Sequence, residues 1–228
     1  MAEPLEIINQ FVMYFNCQIK QKELKVSVNP EVQGDPSALA KFKKYGLLMD
    51  VGLYQQILYN VFINACKFNR HSGSINIRFA VRSPAAIAQY RRCGPNRLVI
   101  ETEIEDEGEG MDPEKQRALF KIFENIKENS IKEFASQRLK SKRCTSGNGL
   151  GLFLSQRLAR FLDGEIKIES KKKKGTKASI ILLVKLPTSE ILSSLKDDKS
   201  EKSILKNEPA SKKASLKSLL SQFKEKTK

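Results

Sequence analysis

The chain has 228 residues, 40% of them hydrophobic and 29% charged, enough to bury one good core with a stretch left over. No run approaches the roughly eighteen consecutive apolar residues of a membrane-spanning helix, and Met1-Ala2-Glu3-Pro4 opens without a basic-then-apolar leader pattern, so we expect a cytoplasmic protein with no transmembrane segment. A formal charge of +15 points to polyanionic partners, whether nucleotides, nucleic acids, acidic lipids or acidic protein surfaces, without choosing among them.

Leu5, Ile8, Phe11, Val12 and Phe15 recur at helical spacing and predict one helix from Leu5 to about Lys22, and Leu24 to Val28 alternates like a strand. Residues 29–49, with two prolines, two glycines and several lysines, read as a loop or insertion. From Leu53 to Phe68 the set Leu53, Ile57, Leu58, Val61, Phe62 and Ala65 predicts a helix whose adjoining face carries Asn60, Asn64 and Lys67. Strands are predicted at Ile75–Phe79 and Leu98–Ile104, joined by a loop through Ser83-Pro84 and Cys93-Gly94-Pro95.

Asp106-Glu-Gly-Glu-Gly110 follows, then a short helix near Glu114–Asn125 and a basic polar span over 127–146. Gly147-Asn-Gly-Leu-Gly151 leads into a helix ending near Leu162, with Gly164 as its stop signal. Glu165–Ser170 and Thr176–Leu186 alternate as two strands of a hairpin turned at Lys171–Gly175. Beyond residue 187, ten lysines and nine serines fall in 41 residues; we place the domain at 1–187 and read 188–228 as a disordered basic tail with a nascent helix on Leu216, Leu219, Leu220 and Phe223.

Four scattered cysteines and a single histidine, His71, support neither a zinc site nor a disulfide framework. Both glycine clusters are candidate nucleotide contacts, since a glycine turn lets backbone approach a ligand and a helix start attracts anions. There is no Walker loop, and Gly147-Asn-Gly-Leu-Gly-Leu152 lacks dinucleotide-fingerprint spacing. Nucleic-acid binding is not favoured: the chain has no Trp, and the tail's only aromatic residue is Phe223.

Four ordered boxes carry a resemblance. Asn60-Val-Phe-Ile-Asn-Ala-Cys-Lys-Phe68 looks like an asparagine box, Asp106-Glu-Gly-Glu-Gly110 like a first glycine box, Leu119-Phe-Lys-Ile-Phe123 like a phenylalanine box, and Gly147-Asn-Gly-Leu-Gly-Leu152 like a second glycine box; Gly175-Thr176 matches the pair opening the last core strand. Over roughly residues 1–187 the chain thus resembles the histidine-kinase superfamily of ATPases, which also includes gyrase, mismatch-repair and heat-shock chaperone ATPases. The resemblance implies a Bergerat-type fold, a two-layer α/β (α+β) sandwich with a mixed, largely antiparallel sheet covered by helices on one face.

It also implies ATP and Mg²⁺ as ligands. Asn64, one turn after Asn60, offers a hard amide oxygen to Mg²⁺, and Lys67 a point charge to phosphate. Asp106 would accept from the adenine amino group, with Gly108 and Gly110 leaving room for base and ribose. Gly147, Gly149, Leu150, Gly151 and Leu152 would hold phosphates at a helix start, Phe123 and Thr176 would complete the site, and 127–146 would be the ATP lid. Gyrase and chaperone relatives place a glutamate general base where this chain has Asn60; an amide cannot take that proton, so no residue is assigned as catalytic, Asn60 has a polar role, and phosphoryl transfer is preferred over hydrolysis.

The expected function is the ATP-binding domain of a two-component sensor histidine kinase. The sequence opens almost directly on the domain's first helix, and His71 lies in a turn where a surface histidine is the better reading. The acceptor histidine is therefore expected on a separate domain, in cis or in trans, with a response regulator as a further partner. The alternative is a non-catalytic ATP-binding regulator or scaffold of the same superfamily.

Overall fold

The structure, a computed structural model, describes residues 4–29, 33–45, 49–93, 96–124 and 150–186. The chain divides into two units, Met1–Pro187 and Thr188–Lys228, and every described residue belongs to the first. The expected basic tail, the 127–146 lid, Gly147 and Gly149 lie outside the described residues.

The expected first helix is two: α1 (Pro4–Tyr14) and α2 (Asn16–Gln21). They break at Phe15, whose φ of −92° and ψ of 9° depart from helix. Its ring is buried, with its centroid 5.1 Å from that of Phe62 and 5.3 Å from that of Tyr59. Packing of this aromatic residue fixes a bend that periodicity alone does not show.

The expectation of a loop or insertion over 29–49 is corrected as to the loop, because most of the segment takes regular structure. Short strand β2 (Gln33–Gly34) is followed by α3 (Pro36–Tyr45). Asp35 starts the helix: its Oδ1 accepts the Ala38 N–H at 2.8 Å, while Pro36 has no N–H to leave unsatisfied at the first helical position. The prolines, glycines and lysines that suggested a loop include this helix-start signal. Asp35 Oδ2 also accepts the Ser83 N–H at 2.8 Å, pinning the segment to the end of a central strand.

Helix α4 (Val51–Lys67) is capped by Asp50, whose side chain accepts the Leu53 N–H at 3.1 Å. α5 spans Pro113–Glu124, and α6 Leu150–Phe161. α6 ends with Asp163 at φ 57°, so the left-handed position falls one residue before the predicted Gly164. Gly164 is needed there because a Cβ would overlap the Ile181 carbonyl oxygen.

The strands β1 (Lys25–Val28), β3 (Ser74–Arg82), β4 (Arg97–Asp106), β5 (Glu165–Lys171) and β6 (Gly175–Lys185) order as β1-β3-β4-β6-β5. β1 and β2 both pair parallel with β3, and the other pairings are antiparallel. Register aligns Ile77 with Ile104 and Ile104 with Ala178, which places one apolar row across three strands. Against this face pack the buried Leu53, Ile57, Val61 and Phe62 of α4 and Leu158 and Ala159 of α6. The described unit is the two-layer α+β sandwich expected.

On the opposite face the alternating positions are charged and paired. Arg78 reaches Glu103 at 2.9 Å, Arg82 reaches Glu101 at 2.9 Å, and Lys177 reaches Glu169 at 3.1 Å. At one end of that face the β3–β4 connection folds over the sheet, packing Tyr90, Ile87 and Cys93 on Val99, Ile181 and Leu183.

Between the layers, the buried Tyr54 hydroxyl and Thr102 hydroxyl hydrogen-bond at 2.6 Å. Tyr54→Phe leaves the Thr102 hydroxyl without this partner, and we expect a loss of about 1–2 kcal/mol in denaturant unfolding. Tyr54→Phe combined with Thr102→Val should recover part of that loss; full additivity of the two substitutions would show the pair uncoupled.

Candidate functional site

Two clusters form at the end of the sheet where β3 begins and β4 ends. The first joins α4 to the start of α6. The Asn60 Nδ2 donates to the Ser155 Oγ at 2.9 Å, with both residues buried. One turn before Ser155, Gly151 faces the same amide: a Cβ there would come 3.2 Å from Asn60 Oδ1, so glycine lets α6 begin tight against α4.

Asn64, one turn beyond Asn60, is half-buried, and its main-chain oxygen accepts the Phe68 N–H at 2.9 Å. Lys67 is exposed, with its ammonium 5.2 Å from the Phe68 ring centroid. Cys66, beside them in the asparagine box, is buried, and burial pushes its thiol up to about 11, so it stays protonated and inert at neutral pH.

The second cluster is built on Asp106. Its side chain is 7% exposed, and Oδ1 accepts the Gly108 N–H at 2.8 Å and the Thr176 N–H at 3.2 Å. Burial raises its carboxyl above the ordinary range, against the pull of these two backbone donors. The Thr176 hydroxyl shares a 2.8 Å hydrogen bond with Ser170.

The turn after Asp106 is clamped on both sides. The Glu109 N–H donates to the Phe68 carbonyl at 3.0 Å, and the Lys173 N–H donates to the Glu109 carbonyl at 2.6 Å. A Cβ on Gly108 would overlap the Phe68 carbonyl, and one on Gly110, at φ 60°, would overlap the Lys171 carbonyl. Both glycines are therefore required by the protein's own backbone, a reason separate from the room for base and ribose inferred from the motif.

Phe68 links the two clusters, bonded to Asn64 on one side and to the Asp106 turn on the other. Leu152 is half-buried in the first turns of α6, Leu150 opens that helix, and Phe123 falls in α5. Sequence reasoning missed Ser155, Ser170 and Asn69, whose Nδ2 donates to the Ser74 carbonyl at 3.0 Å. Ser155 was findable, since it follows Gly151 by one helical turn; the pairing of Ser170 with Thr176 needed the strand register. No cluster of three or more His, Cys, Asp or Glu side chains suited to a metal occurs among the described residues. A cation here would depend on Asn64 together with a ligand's own oxygens.

The family of histidine kinase-, DNA gyrase B- and HSP90-like ATPases matches residues 49–188. The chain belongs to this family. Among its relatives, the autoinducer 2 sensor kinase/phosphatase LuxQ of Vibrio parahaemolyticus is 32% identical over 130 residues, 57% of this chain and 13% of that protein. Hybrid signal transduction histidine kinase F of Dictyostelium discoideum is 31% identical over 155 residues, 68% of this chain and 12% of that protein.

The chain thus spans about an eighth of the length of these curated relatives. Two solved histidine-kinase structures share the ATPase-family fold at 17% identity. The mycobacterial sensor histidine kinase MprB aligns with a TM-score of 0.50 over 82% of this chain and 97% of that one. Full-length ShkA, solved with AMPPNP, aligns with a TM-score of 0.51 over 82% of this chain and 31% of that one.

Proposed function

We propose that this chain is the ATP-binding domain of a histidine kinase that passes the γ-phosphoryl group of Mg-ATP to a histidine on another domain or chain. The observation that carries this reading is the Asn60–Ser155 pair: the position that holds a general base in the hydrolytic branches is here an amide donating to a buried hydroxyl. An amide so engaged takes no proton from water, so an ATP held here awaits an external nucleophile.

In this proposal the Asp106 carboxylate accepts from the adenine amino group through Oδ2, since Oδ1 already serves two backbone N–H groups. The first N–H groups of α6, with Gly151 and Leu152, bind phosphate oxygens, and Gly147 and Gly149 precede them in the chain. Lys67 neutralises phosphate charge. Mg²⁺, when bound, supplies Lewis-acid stabilisation of the triphosphate, and Asn64 is the residue that would hold it. A phosphoacceptor domain in cis or in trans, a response regulator and the lid over 127–146 complete the proposed system.

The test is titration of ATP with and without Mg²⁺, followed by phosphotransfer to a separately expressed histidine hairpin. Asn64→Ala should leave metal-free ATP affinity unchanged and remove the gain brought by Mg²⁺, about tenfold or more, since a metal–oxygen bond rivals a hydrogen bond to a charged group. Acid-labile phosphate should appear on the hairpin with the parent and vanish with Asn64→Ala. ATP binding with no transfer would favour a nucleotide-gated regulator instead.

A further inference from the structure

Lys22 ends α2, and its side chain crosses to the end of another helix: the ammonium donates to the Lys67 carbonyl at 2.5 Å and to the Asn69 carbonyl at 3.1 Å. These two oxygens flank Phe68, the residue that joins the Asn64 side of the site to the Asp106 turn. Lys22 also precedes the matched family region, which begins at residue 49. We propose that Lys22 is a positioning residue for the nucleotide, acting through the backbone of residues 67–69; the proposal rests on the reading of this site as an ATP site.

The last carbonyls of a helix have no partner inside it and carry the negative end of its dipole, so a cation among them is favourable. Lys67 is the last residue of α4 and Phe68 its cap. Three carbonyls in a row are then taken in alternation. Those of Lys67 and Asn69 go to Lys22, while that of Phe68 accepts the Glu109 N–H at 3.0 Å and lies against Gly108. Lys22 thus holds both sides of the carbonyl on which the Asp106 turn rests, and it fixes the end of the helix that carries Asn64 and Lys67.

The buried Cys66 thiol feels both ends of this link. Burial pushes it up, the Lys22 charge offsets part of that push, and Asp106 adds to it. Other ties between the two turns do not use the ammonium. The Ser72 N–H donates to the Lys22 carbonyl at 2.9 Å, the Lys25 N–H to the Gly73 carbonyl at 2.9 Å, and the Ser72 hydroxyl to Glu23 at 2.9 Å. All three survive a change of the Lys22 side chain. Lys22→Met keeps the length of the stem and should therefore fold with the turns still paired, losing the ammonium alone.

The test is calorimetric titration of ATP into the full chain and into Lys22→Met, Lys22→Arg and Tyr54→Phe, each at a temperature where its melting curve shows it folded. Lys22→Met is expected to bind ATP about tenfold more weakly. Its Phe68 and Glu109 amides should exchange with deuterium faster than in the parent, while those of Ile77 and Ile104 keep parental rates. Lys22→Arg retains the charge and should return affinity to within about threefold of the parent. Tyr54→Phe, which loses stability away from the site, should keep parental affinity. Parental affinity in Lys22→Met, an equal loss in Tyr54→Phe, or an arginine variant as weak as the methionine one would overturn the role of Lys22. Failure of the parent itself to bind ATP would sink the nucleotide reading, and this role with it.

Discussion

Replacing Asp106 by asparagine is expected to lower ATP affinity by about thirtyfold to a hundredfold while the protein stays folded. The reason lies in how the two carboxylate oxygens are used. The carbonyl oxygen of asparagine can take the place of Oδ1 and keep the Gly108 and Thr176 donors satisfied. The amide nitrogen then stands where Oδ2 was, and meets the adenine amino group donor to donor. Losing a charge-assisted hydrogen bond and facing an unpaired donor together amount to about 2–3 kcal/mol. Calorimetric titration beside a melting curve reads both quantities, and an affinity within about twofold of the parent would remove Asp106 from adenine recognition.

The same residue gives a pH signature. Burial first, with Glu105 adding to it, raises the Asp106 carboxyl above the ordinary value of 3.8. On acidification it takes up its proton earlier than an exposed aspartate would, so ATP affinity should begin to fall above the usual carboxylate range. In Asp106→Asn this component should be missing. A raised folded-state pKa means the protonated form suits the fold: this residue's contribution to stability is present at low pH and lost as pH rises through the folded value. An acid-side loss of ATP affinity is therefore not unfolding driven by Asp106.

Gly175→Ala should be among the most damaging conservative changes at the described residues. Gly175 has φ of 92°, and a Cβ would overlap the Asp106 carbonyl oxygen and come 3.0 Å from the Glu107 Cα. Both neighbours are backbone, so no side chain can swing aside. We expect a loss of about 4 kcal/mol, a melting temperature lower by about 10 °C, and weakened ATP binding as the Thr176 N–H leaves Asp106. Gly52→Ala is the control: its Cβ meets only the Asp50 carboxylate, at an ordinary 3.4 Å, and it lies in a helix, where alanine is favoured by up to about 1 kcal/mol. Equal melting temperatures for Gly175→Ala and the parent would refute the backbone argument.

The periodic elements were legible because each buries one face. The row Leu53, Ile57, Val61 shows the core side of α4, and the alternation of Leu98 to Ile104 gives the sheet its two faces, one apolar and one of paired charges. Elsewhere an apolar face was present but overridden by other signals: α3 sets Ala38, Leu39 and Phe42 together, with Phe42 against Phe79. α3 carries Lys41 and Lys43 and was read through its prolines and glycines, yet Asp35 capping and the Ser83 contact set it as a helix. The bend at Phe15 was hidden because packing against Phe62 and Tyr59, and no local signal, decides it.

The sequence by itself determined the family, through four boxes in order, and the chemical types at the site: two asparagines a turn apart, an aspartate ending a strand, and glycines after it. Tertiary structure alone decided what those groups do to one another. It paired Asn60 with Ser155, ninety-five positions away in the chain, and aimed the Thr176 N–H at Asp106, seventy away. It also showed Gly108, Gly110 and Gly175 to be fixed by carbonyls from other segments. The physical reason is that local pattern sets which face is buried, whereas hydrogen bonds and close approaches between distant segments depend on register and helix placement, which the whole packed core selects at once.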